Sequence, residues 1–181
     1  SCNRLHGLTF GAFAQAAPER LMGAPASGGP IMNVNTTDIK TRRRIMAAIN
    51  PMTGGSGGCA DGDGNDGSGA NQGFLKNTPT EVNEVEAGIL VHRYGLMKNS
   101  AGPGKHRGGL GTEMVFEALA PNTKITARNR DRTRFAGWGI VGGKAGAASA
   151  FVRNPGKTNQ ISLGNTDIVT VDPGDIIYVS C

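Results

Sequence analysis

Aromatic side chains are scarce in this chain: its 181 residues include one Trp, two Tyr and six Phe, 5% in all. Surfaces that stack nucleic-acid bases need more rings than this, and the residues behind the net charge of +5 are scattered along the chain. The positive charge is therefore read as a basic surface that acidic partner chains cover, and nucleic acid is not an expected partner. Cysteine is scarce too. Cys2, Cys59 and Cys181 make an odd count with no Cys-x-x-Cys spacing, which excludes a disulfide framework or a zinc module as the organising device and suits a reducing cytoplasm. No run of about 18 apolar residues is present, so neither a transmembrane helix nor a membrane partner is expected. The first residues, Ser1-Cys2-Asn3-Arg4-Leu5-His6, carry neither an initiator Met nor the apolar centre of a signal peptide, and the chain is expected to begin inside a longer product.

Missing motifs narrow the chemistry further. Three His and no Ser in an elbow motif do not assemble a triad, and Ser1 or Cys2 as a terminal nucleophile conflicts with a start that reads as a fragment boundary. No Gly-Lys-Ser/Thr follows an apolar strand, and Gly139-Ile-Val-Gly-Gly does not fit the dinucleotide fingerprint.

What is abundant is glycine, 29 residues beside 9 Pro, still below the level of low-complexity disorder. Three dense stretches stand out: Thr53–Gly69, Asn99–Gly111 and Gly137–Gly146. Between them run short alternating segments that predict strands at Ile31–Asn35, Arg42–Ile49, Ile89–Met97, Glu113–Leu119, Lys124–Arg130, Ala148–Val152, Ile168–Val171 and Ile176–Val179. Alternation puts Leu90, His92, Tyr94 and Leu96 on one face, with His92 read as a hydrogen-bonded strand histidine, and puts Met114, Phe116 and Ala118 opposite Glu113, Val115 and Glu117. Pro121-Asn122 is expected to turn a hairpin between Glu113–Leu119 and Lys124–Arg130, and Asp172-Pro-Gly-Asp suits a type II turn. Lys40-Thr-Arg-Arg-Arg44 is read as a solvated or interface face rather than a localisation signal. Leu5, Leu8, Ala12, Phe13 and Ala16 recur at helical spacing, predicting a short core-packing helix over about His6–Ala17, and Ala24–Pro30 reads as a linker. The expected fold is mostly β (α+β), a sandwich or barrel-like domain of short antiparallel strands with a short N-terminal helix.

Two stretches invite site readings. Asp61, Asp63 and Asn65 occupy the first, third and fifth places of a calcium loop, but Asp66 stands where Gly is required and Gln72 where the bidentate Glu is required. The loop from Gly102 to Gly111 could cradle an anion on successive backbone N–H groups, with Lys105 and Arg107 adding charge, or could simply make tight turns against neighbouring subunits. Glu81, Glu84 and Glu86 form the densest acidic cluster, free to pair with the basic loops or to remain a solvated turn.

Asn77-Thr-Pro-Thr-Glu-Val-Asn-Glu, then Tyr94-Gly-Leu-Met-Lys-Asn-Ser-Ala-Gly-Pro-Gly-Lys-His-Arg-Gly-Gly-Leu-Gly, then Asp131-Arg132 and Trp138-Gly-Ile-Val-Gly-Gly closely resemble the hydantoinase B/oxoprolinase family. The likeness extends to Pro18-Glu19-Arg20, the Gly-Gly…Asp-Gly loop and Gly174-Asp175, and so covers nearly the whole chain. The resemblance implies that residues 1–181 are one C-terminal segment of a larger hydantoinase B-type subunit. Such a subunit works in the cytoplasm with a hydantoinase A-type, ATP-using subunit to open cyclic amides such as hydantoins, lactams or 5-oxoproline. Related assemblies carboxylate acetone or acetophenone, and a non-catalytic interaction module is a third reading. The family's metal-binding His/Asp motifs lie in a part absent here, so ATP and a divalent metal are expected elsewhere in the complex and no cofactor on this segment. Catalytic residues are unassigned; Lys105, His106, Arg107, Arg132 and Trp138 are the candidates for a substrate or interface loop.

Overall fold

The computed structural model describes residues 2–26, 28–29, 31–49, 53–68, 77–128 and 132–181. The final residues expected in the Lys124–Arg130 strand, Asp131 and Gln72 lie outside the described residues. Strands β1 (Ile31–Thr37), β2 (Arg44–Ile49), β3 (Ile89–Leu96), β4 (Thr112–Ala118), β5 (Thr123–Arg128), β6 (Ala150–Arg153), β7 (Ile161–Ser162), β8 (Ile168–Val171) and β9 (Ile176–Ser180) join helices α1 (Cys2–Phe13) and α2 (Thr80–Ala87). Two antiparallel sheets result, in the orders β2-β1-β5-β8 and β3-β4-β9-β6-β7.

The sheets enclose one core. Met32, Val34, Ile125 and Val171 from the first sheet cluster with Met114, Phe116, Phe151, Ile177 and Val179 from the second. Alternation along β4 buries Met114, Phe116 and Ala118 as expected, and β5 buries Ile125 and Ala127 in the same manner.

The expected hairpin between β4 and β5 does not form. β4 pairs with β3 and β9, whereas β5 pairs with β1 and β8, so residues 119–122 carry the chain from one sheet to the other. Crossing sets the apolar faces of β4 and β5 on opposite sides of one core, which a flat hairpin would leave side by side in one sheet. Asn122 takes a left-handed φ of 55° there, and Thr123 Oγ1 donates to the Ala120 carbonyl at 2.7 Å. The Asp172–Asp175 turn crosses likewise from β8 to β9; its Asp175 N–H donates to the Asp172 carbonyl at 3.0 Å, with Gly174 at φ 91°, the geometry a type II turn needs. The two crossings lie together, since the Asn122 N–H donates to Asp172 Oδ1 at 2.8 Å.

Four more expectations change. Helix α1 begins earlier and ends at Phe13, and it does not pack into the core: Leu8 is 72% exposed and Leu5 and Phe13 are exposed too. In β3 the register shifts between Val91 and Arg93, leaving His92 as the extra residue of a bulge. Beyond it Tyr94 turns to the core side with Ile89 and Val91, parting from Leu90 and His92, while His92 Nε2 meets Glu117 Oε2 at 3.1 Å. The acidic cluster lies on helix α2, closed by Gly88 at φ 63°; there Glu84 Oε1 accepts the Val91 N–H at 2.8 Å, and among the described residues none of the three Glu pairs with a basic loop. The arginines after Thr41 are exposed as expected, but Arg42 sits in a turn at φ 58° and the strand starts only at Arg44. That turn is organised by Asp38, whose Oδ1 accepts the N–H groups of Lys40 and Thr41.

Candidate functional site

The three glycine-dense stretches meet the segment 18–26, whose residues 24–26, the start of the expected Ala24–Pro30 linker, form part of a wall; Ser27 and Pro30 lie outside the described residues. Four backbone strips close into a ring through hydrogen bonds. The Gly23 N–H donates to the Gly58 carbonyl at 2.9 Å, and the Ala26 N–H to that of Gly55 at 3.0 Å. Next, the Gly64 N–H reaches the Arg107 carbonyl at 2.7 Å and the Gly109 N–H that of Ser56 at 2.8 Å. The Lys144 N–H meets the Pro103 carbonyl at 2.8 Å and the Ala147 N–H that of Ser100 at 2.9 Å, and the Ala24 N–H closes the ring on the Trp138 carbonyl at 2.8 Å.

Close backbone approach is why these strips are glycine. A Cβ on Gly57 would overlap the carbonyl of Gly23, and one on Gly111 would overlap the carbonyl of Cys181. Side chains at such positions would hold the strips apart and open the ring.

The ring encloses a cleft of about 460 Å³, within the range of small-ligand sites. Lys105, His106, Arg132 and Trp138 line it; Arg107 does not. Arg107 instead ties two strips: its Nη1 and Nη2 reach Asp66 Oδ1 and Oδ2 at 2.7 and 3.3 Å, and its N–H donates to Asp63 Oδ1 at 2.9 Å. His106 Nδ1 stands 3.6 Å from the same Asp63 oxygen. The Arg107 hydrogen bond, followed by that from the Leu110 N–H, holds the Asp66 carboxyl below the usual carboxylate range.

This arrangement narrows both open loop readings. The N–H groups of residues 107–111 go in turn to Asp63, Gly102, Ser56, Asp66 and Ser100, so none of these five is left to cradle an anion. Two carboxylates of the calcium-like stretch, Asp63 and Asp66, are engaged by Arg107, and among the described residues no group of three His, Cys, Asp or Glu is placed to hold a metal ion. These residues do not fit a divalent metal.

Arg132 differs from Arg107 and Arg153. Arg107 is paired with Asp66 and Arg153 with Asp175, but among the described residues no carboxylate faces Arg132. Among the described residues its Nη1 and Nη2 have only long contacts, 3.5 Å to the Ala136 carbonyl and 3.4 Å to that of Pro25, and its Nε, like that of Arg153, is buried without an acceptor. Burial lowers its pKa, and its own backbone is left-handed at φ 64°. Trp138 packs beneath α1: a Cβ on Gly11 would stand 2.8 Å from Trp138 Cζ2. Lys144, Ser100 and Gly23–Ala26 also line the cleft and were not singled out from sequence. Ser100 and Lys144 had a signal in the second and third glycine stretches; the Gly23–Ala26 wall had none, because its role is made of backbone hydrogen bonds to distant residues.

A 5-oxoprolinase of Pestalotiopsis fici is 33% identical to this chain over 110 residues, covering 58% of the chain and 8% of that protein. The crystal structure of ATP-dependent caprolactamase from Pseudomonas jessenii superposes with a TM-score of 0.74 at 22% identity, over 93% of this chain and 30% of that one. The nucleotide-free structure of acetone carboxylase gives a TM-score of 0.73 at 15% identity, over 93% and 26%. This chain thus spans under a tenth of the curated relative and under a third of each solved chain, and at these identities the two structures establish the fold alone. The model of the hydantoinase B/oxoprolinase family matches residues 1–181, and the chain belongs to that family.

Proposed function

We propose that this chain is a segment of the hydantoinase B-type subunit of a cytoplasmic, ATP-dependent enzyme that opens cyclic amides of the hydantoin, lactam or 5-oxoproline type. A hydantoinase A-type subunit supplies the ATP site, and any divalent metal is held by other parts of the assembly. The contribution of this chain is the cleft, with Lys105, His106, Arg132 and Trp138 on its walls as substrate-facing or seam residues and Arg107 as the tie that keeps its shape. One observation carries this reading: Pro18-Glu19, the glycine loop around Gly58, the Ser100–Gly111 loop, Arg132 and the Trp138–Gly143 stretch, parts of the family resemblance far apart in sequence, converge on a cleft of small-molecule size.

The test is reconstitution. The full subunit and its ATP-using partner are purified together and offered hydantoin, caprolactam and 5-oxoproline with and without ATP. ATP-dependent ring opening by the assembly, and none by this chain alone, is expected; an assembly that opens none of them overturns the proposal. Ketone carboxylation has only fold likeness behind it.

A purely structural module is the second reading, favoured by the internal use of every N–H from residue 107 to 111. Under it Arg107→Ala lowers the yield of complex, measured by light scattering, and leaves turnover per assembled complex intact. Under the first reading turnover per complex falls as well.

A further inference from the structure

We propose that helix α2 and the turn between β1 and β2 form a docking face for a second copy of this chain, with the acidic helix of each copy lying on the basic turn of the other. None of the residues involved lines the cleft, so the inference is independent of what the cleft binds.

The two patches are neighbours. Helix α2 packs against β2 and β3, and a Cβ on its closing Gly88 would stand 3.4 Å from Thr36 Cγ2 and 4.0 Å from Ile45 Cδ1. Thr36 and Ile45 face each other across β1 and β2, and the next pair, Thr37 with Arg44, is the last before the turn of residues 38–43. The C-terminal end of α2 therefore lies beside the base of that turn. The helix exposes Glu81 and Glu86 and contains no basic residue, whereas the turn and the start of β2 expose Lys40, Arg42, Arg43 and Arg44.

Neither patch is neutralised within the chain. Among the described residues none of these six side chains forms an ion pair. The one carboxylate of the turn, Asp38, is spent locally: its Oδ1 accepts from the Lys40 and Thr41 N–H groups and from the Thr41 hydroxyl. Those bonds also fix the turn's shape in advance, which lowers the ordering cost of docking.

Adjacent patches of opposite sign decide the occupant. Nucleic acid, an anionic membrane or a wholly acidic protein surface would suit the turn and be repelled by Glu81 and Glu86. A two-fold axis between the patches sets each one on its opposite, the self-complementarity that an isologous dimer requires. Val85 on the helix, 81% exposed, and Ile39 in the turn, 60% exposed, supply apolar contact within the charged rim.

The experiment measures the mass of the full subunit, free of any partner, by light scattering at low salt. The wild type is expected to be a dimer. An acidic variant, Arg42→Glu with Arg43→Glu, and a basic variant, Glu81→Lys with Glu86→Lys, are each expected at half that mass, because like charges then meet across the axis. Mixing the two is expected to restore the dimer mass, since each patch of one variant again faces its opposite on the other. A monomeric wild type, a dimer that persists in either variant, or variants that stay apart on mixing overturns the proposal. Should the acidic variant fail to fold, the basic variant is read alone, and a persistent dimer there overturns it.

Discussion

Arg107 Nη1 lies 2.7 Å from Asp66 Oδ1, and that same oxygen accepts the Leu110 N–H at 2.7 Å. One carboxylate thus fastens two glycine strips through a pair of residues 41 apart in sequence. Both side chains are solvent-accessible, so the pair acts through geometry more than through stability. Arg107→Ala and Asp66→Ala are each expected to speed amide hydrogen exchange in both strips, 63–67 and 107–111. Exchange altered only in the strip that carries the substitution would contradict the tie.

The ring's dependence on bare backbone gives a matched pair of variants. Gly57→Ala drives a methyl into the Gly23 carbonyl, backbone against backbone, while Gly62 has open space around it. Thermal denaturation is expected to show Gly57→Ala destabilised by about 1–3 kcal/mol and Gly62→Ala within about 0.5 kcal/mol of the parent. Equal effects at the two positions would mean that the strips are not in contact.

Asp175 sets the acid limit of the sandwich. Burial alone would raise its pKa, but hydrogen bonds from Arg153, the Asp172 N–H and Asn154 outweigh that and hold it at about 2. Because the folded value lies below the unfolded one, this contribution is complete above about pH 4 and is lost as pH falls toward 2. Asp175→Asn is expected to cost about 2 kcal/mol at pH 7 and to flatten the stability profile between pH 4 and 2, read by urea unfolding across that range. A parallel profile at lower stability would put the effect elsewhere.

Trp138 is the chain's one tryptophan, so its fluorescence reports the cleft wall directly. Gly11→Val on α1 displaces the ring it rests on. A red-shifted emission and readier quenching by acrylamide are expected; an unchanged spectrum would mean that α1 is not seated on Trp138.

Cysteine labelling separates the two thiols that the fold treats differently. Cys59 is exposed on the cleft, whereas burial pushes the Cys181 thiol up to about 11 and its Sγ donates to the Gly28 carbonyl at 3.1 Å. Iodoacetamide at pH 8 is expected to modify Cys59 in the native protein and Cys181 only after denaturation, with mass spectrometry assigning the sites.

By itself the sequence determined what depends on near neighbours. The alternation of Met114, Phe116 and Ala118 fixed which face of β4 is buried, and Pro173-Gly174 fixed a type II turn, because both follow from local backbone geometry. The family-bearing stretches could likewise be read, since glycine density is a property of the string. The tertiary structure decided where those pieces go. Pro121-Asn122 announced a turn but not that the chain would change sheets there, a choice made by the pairing of β4 with β9 and β5 with β8. The bulge at His92 reversed the phase of β3 through its register on β4. The same limit governs the cleft. Lys105, His106, Arg107 and Arg132 are alike as basic letters in glycine-rich surroundings. Only folding gives Arg107 a carboxylate from another strip and, among the described residues, gives Arg132 none on the cleft, because a charge's role is set by partners that sequence distance does not reveal.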